Sequence, residues 1–261
     1  MGESNLLLHT LEADIKQFIQ NSEYNLLEDF NNMQIFDNPL INIAGASDTL
    51  WEELKKSDVV GPDHLTPNEW LPGSKSVISY FLPFTKQIRS SNRLEGPPSQ
   101  KWLYGRIEGE ILNNALRHFI VDFIETSGEK AIAPALDKRF LVSNHISNWS
   151  ERHVAFIAGL GTFSLSYSLI TNLGTAGRFG SVITDKVFET KSRPYQEVDE
   201  YCTKCGVCIE RCPQQAITEN IKDKECCSQY LMSILELNKP RYGCGKCQTA
   251  VPCEYENPTK R

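Results

Sequence analysis

Cysteine is missing from the first 201 residues of the 261-residue chain; all nine cysteines lie between Cys202 and Cys253. A disulfide framework would spread them, so a set this confined reads as a metal-dense tail on a different domain. Basic residues are in the minority, 27 against 33 acidic ones, for a formal net charge of −6. Nothing in that balance marks a general binder of phosphate backbone, and nucleic acid is not an expected partner. No apolar run approaches the length of a membrane span, so no membrane partner is expected either. The opening stretch "MGESNLLLHTLEADIKQFIQ" has no basic start, continuous apolar segment, small-residue cleavage site or twin-Arg pair. A cytoplasmic protein is the expectation.

The length allows one large domain and a small one. Leu7, Leu8, Leu11, Ile15, Phe18 and Ile19 share one helical face. "PLINIAGAS" (39–47) predicts a strand running into a turn, followed by a short helix over 48–56 capped by Ser47 or Asp48. "KSVISYFLPF" (75–84) is a β-branched and aromatic run that Pro83 ends, a buried strand. After a loop over 90–100, Leu103, Ile107, Ile111, Leu116, Phe119, Ile120 and Phe123 line one side of a long helix that Gly128 stops. A second strand is expected over 178–188 and a polar connector over 189–200. The expected fold class is α+β, with a body over residues 1–195 and a small domain over 196–261. Strand order stays open.

"YCTKCGVCIERCPQQAI" (201–217) carries the C-x2-C-x2-C-x3-C-P run of a bacterial ferredoxin. Three ligands in seven residues favour iron–sulfur over the separated pairs of a structural zinc site. In such a run three thiolates wrap one [4Fe–4S] cluster and the fourth points to a neighbouring one. Ferredoxin cross-wiring then gives Cys202, Cys205, Cys208 and Cys253 to the first cluster. Cys212, Cys244, Cys247 and one of Cys226 and Cys227 go to the second, and the spare cysteine is a small buried hydrophobe. Two [4Fe–4S] clusters are expected.

Further stretches carry a resemblance: "SERHVAFIAGLGTF" (150–163), "SLITNLGTAGRFGSVITD" (168–185), "CSQYL" (227–231) and "RYGCGKCQ" (241–248). Together with the cysteine run they resemble epoxyqueuosine reductase and the related corrinoid reductive dehalogenases, over roughly residues 40–261. The "CSQYL" match selects Cys227 over Cys226 as the ligand. The last cysteine departs from the family, with five residues after Cys247 and the order Pro252-Cys253.

The resemblance implies a nitroreductase-like α/β body that holds cobalamin without a lower protein ligand, fed single electrons by the clusters. By the same resemblance Ala158, Gly159, Leu160, Gly161, Thr162, Leu169, Ile170, Thr171, Gly174, Gly177 and Arg178 would lie along the corrin. Glycine suits that place because backbone groups must approach a flat macrocycle closely. The alternative for these glycines is that they end a helix and make turns. "GLGTFS" lacks the third glycine and the preceding strand of a dinucleotide fingerprint. The family's proton-donating Asp falls on His145 here, and imidazole can supply a proton at neutral pH. No D-x-H-x-x-G segment is present, and His64 is expected in a loop. Arg178 and Arg193 could meet an anion, and Tyr104 and Trp149 could wall the pocket.

The missing Asp, and a chain that stops eight residues after Cys253 where the family continues into a helical domain, point to a substrate other than epoxyqueuosine. Three functions follow: a cobalamin-dependent reductase of a small molecule; an electron-transfer protein that reduces a corrinoid protein or another redox partner; and a flavin-binding reductase. In each the expected donor is a low-potential ferredoxin or flavodoxin.

Overall fold

The computed structural model describes residues 3–260. Helix α1 (Glu3–Asn21) leads to strands β1 (Leu40–Gly45) and β2 (Ser76–Pro83), the long helix α2 (Gln100–Thr126) and strand β3 (Ala131–Ile132). A short hairpin, β4 (Val142–Ser143) and β5 (Ile146–Ser147), precedes helix α3 (Glu151–Ile157). A second hairpin, β6 (Gly161–Phe163) and β7 (Leu169–Thr171), precedes β8 (Gly177–Thr184). Helix α4 (Lys224–Asn238) lies in the cysteine-rich part. Among the described residues no helix is long and apolar enough to cross a membrane.

One antiparallel sheet runs in the order β1-β2-β8-β3. Every residue of β2 is buried, so the sheet must be covered on both faces. Alternation divides the work. Ile78, Tyr80, Leu82 and Val182 pack with Leu11, Ile15 and Ile19 of α1 and Leu112, Leu116 and Ile120 of α2. Val77 and Ile183, opposite each other in the register, join Trp51, Trp70, Trp149 and Val154 on the other face. The result is a sheet between two helical layers.

The helix expected over 48–56 is shorter, Leu50–Glu53, because Asp48 stands before it and its side chain accepts from Leu50 N at 3.0 Å, while the chain turns repeatedly from Leu54 onward. Ile111, expected on the apolar side of α2, is exposed. Arg193 pairs with Asp48, Nη1 to Oδ2 at 2.5 Å, and pins the connector to the body.

His64 does lie in a loop, but it is fully buried, stacked on Trp149, with Nε2 accepting from Ser150 N at 3.3 Å. Burial and the nearby Lys55 push it down from the ordinary 6.5 to about 4. The unfolded chain therefore takes up a proton between those values that the folded chain refuses. Stability is complete above pH 6.5 and falls as the pH drops toward 4. Urea unfolding at pH 5 should show a loss of roughly 2 kcal/mol relative to pH 7 from this group, and His64→Phe should flatten that slope.

Candidate redox site: two cysteine quartets and one cavity

The connector meets the body where Tyr201 N donates to Thr162 Oγ1 at 2.8 Å. Gly206, in the left-handed region, then opens the short helix Val207–Glu210 that carries Cys208. Cys202, Cys205, Cys208 and Cys253 line one small pocket together with Ile170 and Val251. Cys253 arrives there despite its spacing because Val251–Glu254 closes a turn, and its carbonyl accepts from Thr175 N at 2.9 Å.

Cys212, Cys227, Cys244 and Cys247 line a second, larger cavity of about 760 Å³. Asp223 caps α4 by accepting from Cys226 N at 2.9 Å, which leaves Cys227 turned to the cavity. Cys226 lies off it, its thiol 3.6 Å from Gln214 O. Ala216 N donates to Cys212 Sγ at 3.3 Å. Burial pushes the Cys244 and Cys253 thiols up to about 12 and Cys208 to about 11, and the other thiols add repulsion. Deprotonated ligands are what a cluster needs, so loading must release protons. Among the described residues no three His, Cys, Asp or Glu side chains converge on a single-ion point; a cubane takes its thiolates at separate irons and spreads them wider.

The cavity is walled on its far side by the body. Arg106, Glu110, Asn114 and Arg117 face it from α2, Glu151 and Arg152 from α3, Gly177, Arg178 and Phe179 from β8, and Trp149 from the preceding loop. Arg117 is buried between Glu110 at 2.8 Å and Glu151 at 3.3 Å, and Ser181 Oγ donates to Glu151. Arg178 stands 3.4 Å from Glu110 Oε2, an ion pair without hydrogen-bond geometry, so Arg178 Nε, like Arg106 Nε, has no hydrogen-bond partner among the described residues. Burial and the neighbouring Arg106 push Arg178 down to about 10.

His145 reaches the cavity from the β4–β5 turn, where Asn144 and His145 both take positive φ. It is 41% exposed, and Nε2 lies 3.0 Å from Glu225 Oε2 on α4. Tyr104 does not reach the cavity; it packs under Arg241 and against Phe30.

Most of the glycine-rich positions expected along a corrin do not line this cavity. Ala158 packs in the tryptophan core, and Gly159 ends α3 at φ +84°. Leu160 and Leu169 pack on each other's cluster, and a Cβ at Gly161 would meet Ile170 O at 2.0 Å across the hairpin. Thr162 holds the connector, and Ile170 packs with Tyr195, Tyr201, Cys202 and Cys253. Thr171 Oγ1 donates to Gly174 O at 2.8 Å. Gly174, at φ +78°, lets the 254–255 backbone approach to 2.4 Å of where its Cβ would be. Of these, Thr162, Ile170 and the Gly174 turn brace the segments that carry the first cysteine quartet, and of the set only Gly177 and Arg178 line the cavity.

Residues missed in the sequence include the α2 stripe of Arg106, Glu110, Asn114 and Arg117. Their spacing of four, four and three was a usable signal: a polar helical face on a helix whose other side is apolar. Glu254, fully buried and paired with Arg89 and Arg93, had no such signal.

Residues 195–218 match the 4Fe-4S binding domain family. The chain is similar to epoxyqueuosine reductases: 29% identical over 205 residues to that of Salmonella typhimurium, covering 71% of this chain and 50% of that protein. To that of Leadbetterella byssophila it is 24% identical over 208 residues, 72% of this chain and 61% of that protein. The chain thus spans about half to three-fifths of the length of the curated relatives it matches. In fold it is similar to the epoxyqueuosine reductase of Streptococcus thermophilus, with a TM-score of 0.54 at 15% identity, covering 93% of this chain and 65% of that one. A catabolic reductive dehalogenase solved with 3-bromo-4-hydroxybenzoic acid gives 0.59 at 15% identity, covering 85% and 30%.

Proposed function

We propose that the chain is a cytoplasmic iron–sulfur oxidoreductase, a cobalamin-dependent reductase whose nitroreductase-like body holds the corrin beside the second of two [4Fe–4S] clusters. The observation that carries this reading is that the second quartet opens directly onto the 760 Å³ cavity of the body, while its Cys247 lies within Coulombic reach of Cys208 of the first. When bound, the clusters supply one-electron transfer at low potential and the corrin supplies the hard redox step.

The residues present fit such a group. The cavity falls in the size range of cofactor sites. Arg106 Nε and Arg178 Nε are buried donors that need acceptors, and a macrocycle rimmed with amide carbonyls offers them. Trp149 and Phe179 supply apolar wall. His145 is placed to hold a proton at Nε2 for a small-molecule substrate. The external donor is a low-potential ferredoxin or flavodoxin.

Titration of anaerobically reconstituted protein with cobalamin tests the reading. One corrin per chain, with shifted corrin absorption bands, is the expected result, and Arg178→Met should weaken binding at least tenfold. No binding of the corrin by protein with its full iron would transfer the role to the alternative, an electron carrier that reduces a separate corrinoid protein. His145→Ala should keep iron and corrin binding while losing turnover; unchanged turnover removes His145 from the chemistry.

A further inference from the structure

We propose that Arg152, Lys222 and Lys246 hold the cluster of the second quartet at a higher reduction potential than that of the first, so that electrons run from the first site to the second and rest beside the cavity. This rests on the two-cluster reading above and adds a direction to it.

The two quartets differ in what surrounds them. Arg152 and Lys222 line the same cavity as Cys227, Cys244 and Cys247, and Lys246 stands in the chain between Cys244 and Cys247; Arg152 acts on Cys247, Lys222 on Cys227 and Lys246 on Cys244. None of the three cations has a carboxylate in ion-pair range among the described residues. Each is anchored by neutral carbonyl oxygens instead. Arg152 Nη1 donates to Tyr167 O at 2.7 Å and Lys222 Nζ to Ser166 O at 3.1 Å. Lys246, only 3% exposed, donates to Leu94 O at 2.7 Å and Asn92 O at 3.2 Å. Their charge is therefore not cancelled by an ion-paired carboxylate. The carboxylates on the same cavity wall, Glu110 and Glu151, are tied to Arg117.

Around the first quartet the cations are paired with carboxylates. Lys204 is within reach of Cys202, but it is 65% exposed and paired with Asp199 at 2.9 Å. Glu254, next to Cys253, is neutralised by Arg89 and Arg93.

Reduction adds one negative charge to a cluster. A nearby unpaired cation favours that state, most strongly where water is excluded. The exposed Cys205 marks the first quartet as the side a donor can approach. The transfer makes and breaks no bond: an external one-electron donor is oxidised, the first cluster is reduced, and it is reoxidised as the second takes the electron.

A potentiometric titration followed by electron paramagnetic resonance, on protein first shown to carry about eight irons, tests this. Two one-electron waves are expected. Arg152→Gln and Lys222→Gln should each move the higher wave to lower potential and leave the lower one in place. Lys222→Arg and Lys204→Gln should each leave both waves in place, the latter because Lys204 is exposed and paired with Asp199. If neither Arg152→Gln nor Lys222→Gln moves a wave, or if they move the lower one, the proposal is overturned. An iron content of about four or less would instead be a failure of the two-cluster reading, seen before any potential is measured.

Discussion

A Cys227→Ala variant is expected to hold about half the iron of the parent after anaerobic reconstitution, and a Cys226→Ala variant to hold all of it. The two residues are adjacent on α4, where neighbouring side chains point about 100° apart, so one helix cannot turn both thiols into the cavity. Cys227 lines it with Cys212, Cys244 and Cys247, whereas Cys226 rests against Gln214 O. Removing Cys227 leaves three thiols for a cluster that takes four, while the first quartet is untouched. Colorimetric iron per chain decides the matter. Equal losses from the two variants would mean that the helix register, and with it the ligand set, is wrong.

Glu254→Leu should cost about 3–5 kcal/mol of stability. Glu254 is 1% exposed and ties the 89–93 segment to the tail: Arg89 Nη1 at 3.4 Å, Arg93 Nη2 at 2.9 Å, and its own neighbour Ala250 N at 2.7 Å. Arg89 is itself largely buried, and with Glu254 gone only Asp37, within Coulombic reach but outside ion-pair range, would face its charge. Arg93 is 41% exposed and adds less, since solvent screens it. The same carboxylate fixes the segment that delivers Cys253, so the first quartet should lose iron as well. Urea unfolding of the iron-loaded protein measures the first effect. A loss under about 1 kcal/mol would show that the tail is held by something other than this charge cluster.

What could be read from the sequence was what is written locally. The β-branched and aromatic run of β2, the apolar repeat of α2 and the tight cysteine run each announce their structure within a few residues. The glycines of 158–174 were harder because a glycine says that something comes close without saying what. At Gly174 the visitor is backbone eighty residues later, and at Gly161 it is the other strand of its own hairpin. Both close approaches serve the first quartet, which shares small residues with a cofactor cradle but needs them for a different neighbour. Arg152 and Lys222 were likewise unremarkable polar positions until the fold set each beside a thiol.

The electron paramagnetic resonance spectrum of the fully reduced, reconstituted protein puts the central arrangement to the most direct trial. Thiols of the two quartets within Coulombic reach of one another predict two reduced [4Fe–4S] centres that split each other's signals, integrating to about two spins per chain. An unsplit signal of about one spin per chain, or a silent protein loaded with zinc, would contradict it.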